Sequence, residues 1–328
     1  MARRKKGQAI SGWINLDKPY DLGSTSAVSR VRRLFDAQKA GHAGTLDPLA
    51  TGVLPIALGE ATKTVQWVMD GRKVYRFTIA LGRATATDDL EGGVVAESPA
   101  RPTDADLQAV LGEFIGEIDQ VPPAYSALKI EGERAYDLAR RGAAVELASR
   151  RVRVDRLALL ARPSADLAEL EVECGKGTYV RSLARDIARA AGSVGHVAAL
   201  RRTVCGPFRI ENAVTVASLE QEAANSLSNP EALGHKRALL GHLQPVVTAL
   251  DDIPALALTD RQADRLSGGV ALPMAEIAGA GVPTIGTMSP AEGSAEPARI
   301  VRAMAGARLV AIARIDGDLL RPVRVLNL

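Results

Sequence analysis

Between Gly41 and Pro55 the chain reads GHAGTLDPLATGVLP, which sets one carboxylate, Asp47, and one imidazole, His42, among three glycines and two prolines. Glycine admits backbone conformations closed to other residues and lets a chain approach a ligand closely; proline freezes the dihedrals beside it. Such a loop holds Asp47 at a rigid turn, with Leu46, Leu49 and Leu54 available as a dry setting. A carboxylate presented in this way can stabilise a developing positive charge, attack an electron-poor carbon or take a proton. Read alone, the same residues also describe a plain Asp-Pro turn.

Further residues could join it. Arg181, Arg185 and Arg189 recur every four positions on one helix face, so spacing leaves Arg181 open between a surface residue and a carboxylate partner. Tyr75 shares a strand face with Phe77, Ile79 and Leu81, which suits a core tyrosine as well as a ring that stacks on a planar ligand. Leu183 and Leu200 suit either pocket walls or ordinary core. The four histidines lack ligand spacing, and Cys174 and Cys205 form no CxxC, so the sequence supports no metal and predicts buried, reduced thiols.

The elements that must position these groups follow from periodicity. Ile14 and Leu16 alternate in a short strand ending at Lys18-Pro19, and Ser24-Thr25-Ser26 offers N-caps for a helix through Phe35. Val53–Leu58 reads as a buried strand, Ala61 to Met69 as a helix, and Arg72–Leu81 as an alternating strand. Thr103 and Asp106 open a capped helix, and a further helix is predicted from Glu133 to Gly142. A hairpin spans 150–161 and 167–174, Thr178 caps a helix stopped by Gly192, and His196–Val204 is another strand. Hairpins mixed with single helices predict an α+β fold on a largely antiparallel sheet with flanking helices. Residues 219–247 read as a polar, helical connection. Beyond it come a strand at Ala255–Leu258, a helix capped by Thr259, an irregular Ala/Gly/Pro/Ser stretch at Gly279–Pro297, and a hairpin turning at Asp316-Gly317. The expected division is a larger domain over 1–245 and a smaller, strand-rich one over 248–328, with truncation after 246 leaving the former folded.

At 328 residues, 47% hydrophobic and 24% charged, the composition is that of a soluble globular protein with ample core. No apolar run is long enough for a membrane span and no signal peptide is visible, so a cytoplasmic protein is expected. Net charge is only +3, yet residues 1–50 hold nine Lys/Arg against four Asp. A second basic cluster comprises Arg140, Arg141, Arg150, Arg151, Arg153 and Arg156. Such runs are usually solvated faces, and they would also suit a phosphate backbone.

Extended to GHAGTLDPLATGVLPIALGEATK, the loop closely resembles the catalytic motif of the tRNA pseudouridine-55 synthase family. Four more segments resemble the family in the right order: LDKP with Ser24-Thr25-Ser26, KVYR leading to TATD at 85–88, SALK with GERAYDLAR at 126–140, and CGKGTYVRSL at 174–183. Together they cover residues 12 to about 210. One departure is Tyr20-Asp21-Leu22-Gly23, where the family usually has glycine directly after the position of Tyr20. The segment from Lys129 to Arg140 resembles the bacterial branch, which implies a stand-alone monomer with no obligate protein partner. The C-terminal pattern is similar to the small PUA-like RNA-binding barrel that commonly ends this family.

The resemblance implies isomerisation of uridine 55 in the T-loop of tRNA, on the T-arm stem-loop. Asp47 would be catalytic and Arg181 its partner; Tyr75 would stack on the uracil and help move the C5 proton. His42 would enter the RNA where the uridine is flipped out, with Lys18, Tyr179, Leu183 and Leu200 as further substrate contacts. No metal or organic cofactor is implied, because the reaction is redox-neutral and internal to the substrate. Asp47 as nucleophile at C1′ and Asp47 as base at C2′ both remain open. Two rival readings stand beside it: a glycosylase that releases base, and an RNA-folding factor. A single carboxylate with excluded water is expected, which argues against the first. An intact Asp47, Tyr75 and Arg181 argues against the second.

Overall fold

The computed structural model describes residues 7–126, 129–130, 133–134, 136, 141, 147–227, 239–277 and 299–328. The first half of the chain supplies β1 (Gly12–Lys18), α1 (Ser24–Leu34), β2 (Ala40–His42), β3 (Thr51–Leu58), α2 (Val65–Asp70) and β4 (Lys73–Leu81). A hairpin of β5 (Arg83–Thr85) and β6 (Val94–Glu97) follows, then α3 (Asp104–Leu111) and β7 (Gly116–Gln120). Next come the short β8 (Lys129–Ile130) and β9 (Glu133–Arg134), the long hairpin β10 (Arg150–Ser164) and β11 (Leu167–Cys174), and α4 (Val180–Ala190). β12 (Gly195–Cys205), β13 (Phe208–Arg209), β14 (Val214–Thr215) and α5 (Val216–Leu227) complete the larger unit.

Strands β14-β1-β3-β12-β4-β11-β10-β7 form one sheet, with β13 beside β12 and β2 beside β3. Its ladders are antiparallel except at β1–β14 and β3–β12, as the hairpin-rich pattern predicts for an α+β fold. β4 is central, paired with β12 on one side and β11 on the other, so Tyr75 faces both Arg202 and Val172 across the ladders. Its alternating face behaves as expected: Phe77, Ile79 and Leu81 are buried with Val172, Leu183 and Ile187 under α3 and α4. β3 is buried at seven of its eight positions and packs with Ile14, Leu16, Val31 and Leu219 under α1 and α5. α5 is therefore part of the core, where the sequence suggested a connection.

The smaller sheet has the order β15-β17-β18-β19-β16, from β15 (Ala255–Ala257), β16 (Leu272–Pro273), β17 (Arg299–Ala305), β18 (Arg308–Asp316) and β19 (Leu319–Val325). Helix α6 (Asp260–Ser267) starts in a capping box made by Thr259 and Gln262, as α3 does with Thr103 and Asp106. Two expected caps are absent. Gly23 and Tyr179 occupy the N-cap positions of α1 and α4, and Ser24 and Thr178 do other work. The predicted helix from Glu133 lies mostly outside the described residues, although Glu133–Arg134 pairs as a strand with Lys129–Ile130. The N-terminal Arg3 to Lys6 and the Gly279–Pro297 stretch also lie outside them. Both cysteines are free and buried. Among the described residues no helix is long and apolar enough to cross a membrane.

The two sheets share one apolar cluster. Trp13, Val53, Val68 and Phe208 of the larger unit pack with Leu309, Ile312 and Leu326 of the smaller one. Lys63 donates to the Val325 carbonyl and Asn327 N–H to the Glu60 carboxylate, tying the tail beside the end of β3. Truncation after residue 246 uncovers this cluster, and each exposed large side chain costs about 1.5–3 kcal/mol. The truncated chain is expected to melt at least about 5 °C below the full chain in thermal unfolding; equal melting temperatures would contradict a shared core.

Candidate active site

Asp47 sits where β2 returns to β3, and the loop is gripped by groups distant in sequence. Ala50 N–H donates to the Asp47 carbonyl at 3.1 Å, closing the turn around Pro48. Ser24 Oγ accepts from Leu46 N–H and donates to its carbonyl, at 2.9 and 2.7 Å. This explains why it is not a helix cap. Lys18 is fully buried, and its Nζ donates to the carbonyls of Pro19, Leu22 and Pro48 at 2.9, 2.6 and 3.0 Å. It was expected against RNA; with no exposed surface and three carbonyl acceptors, it is a brace. Burial pushes its ammonium down to about 8, opposed by Asp47 and Asp21.

A second buried cation explains the glycines. Arg202 is 1% exposed, donates from Nε to the Val53 carbonyl at 2.7 Å and from Nη2 to the Gly44 carbonyl at 2.9 Å. A Cβ at Gly52 would lie 2.2 Å from the Arg202 carbonyl oxygen, and one at Gly44 3.3 Å from Nη1. Both glycines have left-handed φ, +98° and +91°. They make room for Arg202, where the sequence suggested room for a ligand.

Arg181, one residue into α4, reaches the carboxylate. Its Nε lies 3.0 Å from Asp47 Oδ2, and its side chain is only 7% exposed. Nη1 donates to the Thr87 carbonyl and Nη2 to the Tyr125 carbonyl, both at 2.9 Å, and Nη1 is 3.5 Å from Asp89 Oδ2. Asp89, one residue beyond the TATD segment, is a second carboxylate at the site, with no local pattern in the sequence to mark it. Its Oδ1 accepts from the Thr87 hydroxyl and from Glu91 N–H, so both oxygens are engaged. The neighbouring Asp88 pairs with Arg185 at 2.9 Å, which also meets Asp186 and the Val121 carbonyl. Arg185 is a half-buried tie between the β5–β6 hairpin and α4.

The Asp47 side chain keeps 40% of its surface open to the cleft, while protein mass surrounds it elsewhere. That withdrawal of water raises its carboxyl above the ordinary 3.8; the Arg181 guanidinium opposes this, Asp89 adds to it, and Lys18 opposes it more weakly. Tyr75 lines the same cleft, as do Tyr179 and Leu200. Burial pushes the Tyr75 phenol up to about 12 against the opposing effect of Arg202, whose guanidinium carbon is 5.9 Å from the ring centroid. Tyr75 is therefore a neutral phenol at physiological pH. The Tyr179 backbone is bracketed by the Gln120 amide at 2.8 and 3.2 Å.

Two expected residues lie elsewhere. Leu183 is fully buried in the core beneath α4 and forms no part of the cleft wall. His42 lies on β2, set back from the cleft lining, with burial and then Arg202 lowering its imidazole below the ordinary 6.5. Its Nδ1 is buried with no hydrogen-bond partner among the described residues. The second basic cluster is largely balanced: Arg151, Arg153 and Arg156 face Glu117, Asp155 and Glu171. No group of three or more His, Cys, Asp or Glu among the described residues is arranged for a metal.

Comparison with known proteins finds two family models. One, described as "TruB family pseudouridylate synthase (N terminal domain)", matches residues 32–180; "tRNA pseudouridylate synthase B C-terminal domain" matches 181–251. Their boundary falls inside α4, between Val180 and Arg181, so one site draws on both. The tRNA pseudouridine synthase B of Caulobacter sp. (strain K31) is 55% identical over 328 residues, covering 100% of both chains. That of Gluconacetobacter diazotrophicus is 52% identical over 324 residues, covering 99% of this chain and 100% of the other. Among solved structures, a chain of a Cbf5-Nop10-Gar1 complex superposes with a TM-score of 0.69 at 26% identity, covering 96% of this chain and 84% of that one. A chain from an H/ACA RNP bound to a substrate RNA containing 2′-deoxyuridine shares the fold, with a TM-score of 0.70 at 23% identity over 100% and 92% of the two chains.

The charge arrangement predicts opposite responses to two substitutions. In a carbon-13 NMR titration, the Asp47 carboxyl is expected to titrate above 3.8. Arg181→Met removes a cation and should move it further up; Asp89→Asn removes an anion and should move it down. Activity that needs ionised Asp47 is lost as pH falls through that value, so the acid limb should shift in the same two directions. Movement in one common direction would contradict the assignment of neighbours.

Proposed function

The chain belongs to the TruB family of pseudouridylate synthases, and from that premise we propose that it isomerises uridine 55 in the T-loop of tRNA, with Asp47, Arg181 and Tyr75 as the catalytic set. The observation that carries this reading is the 3.0 Å ion pair between Asp47 and a buried Arg181 at a cleft that Tyr75 and Leu200 also line.

The reaction breaks the N1–C1′ bond, leaves its electron pair on the uracil, turns the base and joins C5 to C1′ with loss of the C5 proton. Positive charge develops on the sugar as N1 departs, and the Asp47 carboxylate is the group that answers it. It does so as a nucleophile on C1′ or by taking the C2′ proton. Arg181 keeps the carboxylate ionised and oriented through a charge-assisted hydrogen bond. The target must leave the RNA stack to reach this point. Tyr75 supplies a ring for the extruded uracil, and its neutral hydroxyl can only take up the C5 proton as another proton leaves it.

A glycosylase would need a second carboxylate free to activate water. The expectation of one carboxylate is corrected by Asp89, yet the conclusion is supported: both Asp89 oxygens are already engaged by Arg181, Thr87 and Glu91. An RNA-folding role can accompany the chemistry without replacing it. In this reading the protein is a cytoplasmic monomer acting on the T-arm. Residues 1–245 form its catalytic domain and 248–328 a PUA-like domain that adds contacts to tRNA.

With Asp47→Asn, single-turnover isomerisation of unmodified tRNA should be abolished while affinity stays within a few-fold, because the amide keeps the shape and lacks the charge. Arg181→Lys should slow the chemical step far more than it weakens binding, since an ammonium cannot reproduce the planar fork. Near-normal turnover in Asp47→Asn would refute the reading.

A further inference from the structure

The loop Tyr20-Asp21-Leu22-Gly23 has no place in the chemistry above, yet it borders a groove of its own. Of the chain's five tyrosines, four line the catalytic cleft: Tyr75, Tyr125, Tyr136 and Tyr179. The fifth, Tyr20, is 57% exposed, the most exposed of the large apolar and aromatic side chains apart from Val95 among the described residues. It lines a separate groove with Leu49, Thr51, Leu160 and Leu200. Leu49 and Leu200 also wall the small cavity that contains Asp47 and Arg181. The groove therefore opens directly beside the catalytic carboxylate.

We propose that this groove is a subsite for one unpaired nucleobase of the RNA, adjacent to the target uridine, stacked on the Tyr20 ring. The proposal rests on the RNA-isomerising reading of the site. Three observations lead to it. Extruding a uridine strips its neighbours of a stacking face, and aromatic side chains are the usual replacement in unstacked RNA. The groove offers such a ring over apolar walls, with Arg76 and Arg201 at its margin, each held by a carboxylate, Glu171 and Asp17.

The third observation is mechanical. The same buried ammonium that holds the Asp47 turn, through Pro48, also holds the Tyr20 loop through Pro19 and Leu22. Asp21 occupies the left-handed region, φ +57°, where aspartate is among the better-tolerated residues other than glycine. Tyr20 is carried on the same brace as the catalytic loop, so a base stacked on it is held at a set distance from Asp47.

The test uses the full-length protein and a T-arm stem-loop RNA with an abasic site placed just 5′ or just 3′ of the target. Stacking on an aromatic is worth about 1–3 kcal/mol per base, so Tyr20→Ala should weaken binding of the intact stem-loop by about tenfold. Tyr20→Phe, which keeps the ring, should restore it. At one of the two flanks the abasic RNA should lose the same factor with the wild-type protein and lose nothing more with Tyr20→Ala. Melting temperatures of the variants check that this exposed position leaves the fold intact. Wild-type affinity in Tyr20→Ala, or losses that multiply at both flanks, would overturn the subsite while wild-type isomerisation still stood. A wild-type protein that leaves the uridine unchanged would instead refute the functional reading.

Discussion

Arg181 brings a full positive charge to a place where almost none of its side chain meets water, and a lone buried charge of that kind would cost several kcal/mol. Its surroundings answer that cost on every side: carboxylates at Asp47 and Asp89, and carbonyls at Thr87 and Tyr125. These partners come from three separate segments, the Asp47 turn, the β5–β6 hairpin and the Tyr125 loop, and α4 carries the guanidinium to them. The guanidinium is where they meet. Loss of any one leaves a buried group uncompensated, so the site is assembled as a unit.

Two further buried cations extend the same logic to the backbone. Lys18 takes the Pro48 carbonyl and Arg202 takes those of Gly44 and Val53, while Arg181 takes the Asp47 side chain. The Asp47 turn is thus held on both flanks and at its carboxylate by positive groups from β1, β12 and α4. This arrangement explains why the turn is rich in glycine: Gly44 and Gly52 leave the space that Arg202 fills. It also explains how a carboxylate raised by burial stays available, since the surrounding cations oppose its protonation.

Much of this was legible in the sequence where local chemistry governs. The β4 alternation, the capping boxes at Thr103 and Thr259 and the buried β3 follow from patterns within a dozen residues. Asp47, Tyr75 and Arg181 were legible through the resemblance, and the structure brings all three to one cleft. What the sequence hid depends on partners far along the chain. Asp89 gains its role from Arg181 and Arg202 from Gly44 and Val53, all far along the chain, and Ser24 and Thr178 resembled caps because their long-range or loop partners leave no local trace. Leu183 suited wall and core equally until α4 was laid on the sheet. The four-residue repeat of Arg181, Arg185 and Arg189 likewise gives no sign that Arg185 pairs with Asp88 on the opposing hairpin.

In the proposed reaction Asp47 opens the glycosidic bond, while Asp89, the other carboxylate beside Arg181, is held by Arg181, Thr87 and Glu91. The most direct test is to incubate the purified protein with an unmodified tRNA transcript, map pseudouridine at single-nucleotide resolution, and assay the same reaction for free uracil. The predicted result is one modified nucleotide, uridine 55 of the T-loop, with no base released. Free uracil, or a transcript left unmodified, would contradict it.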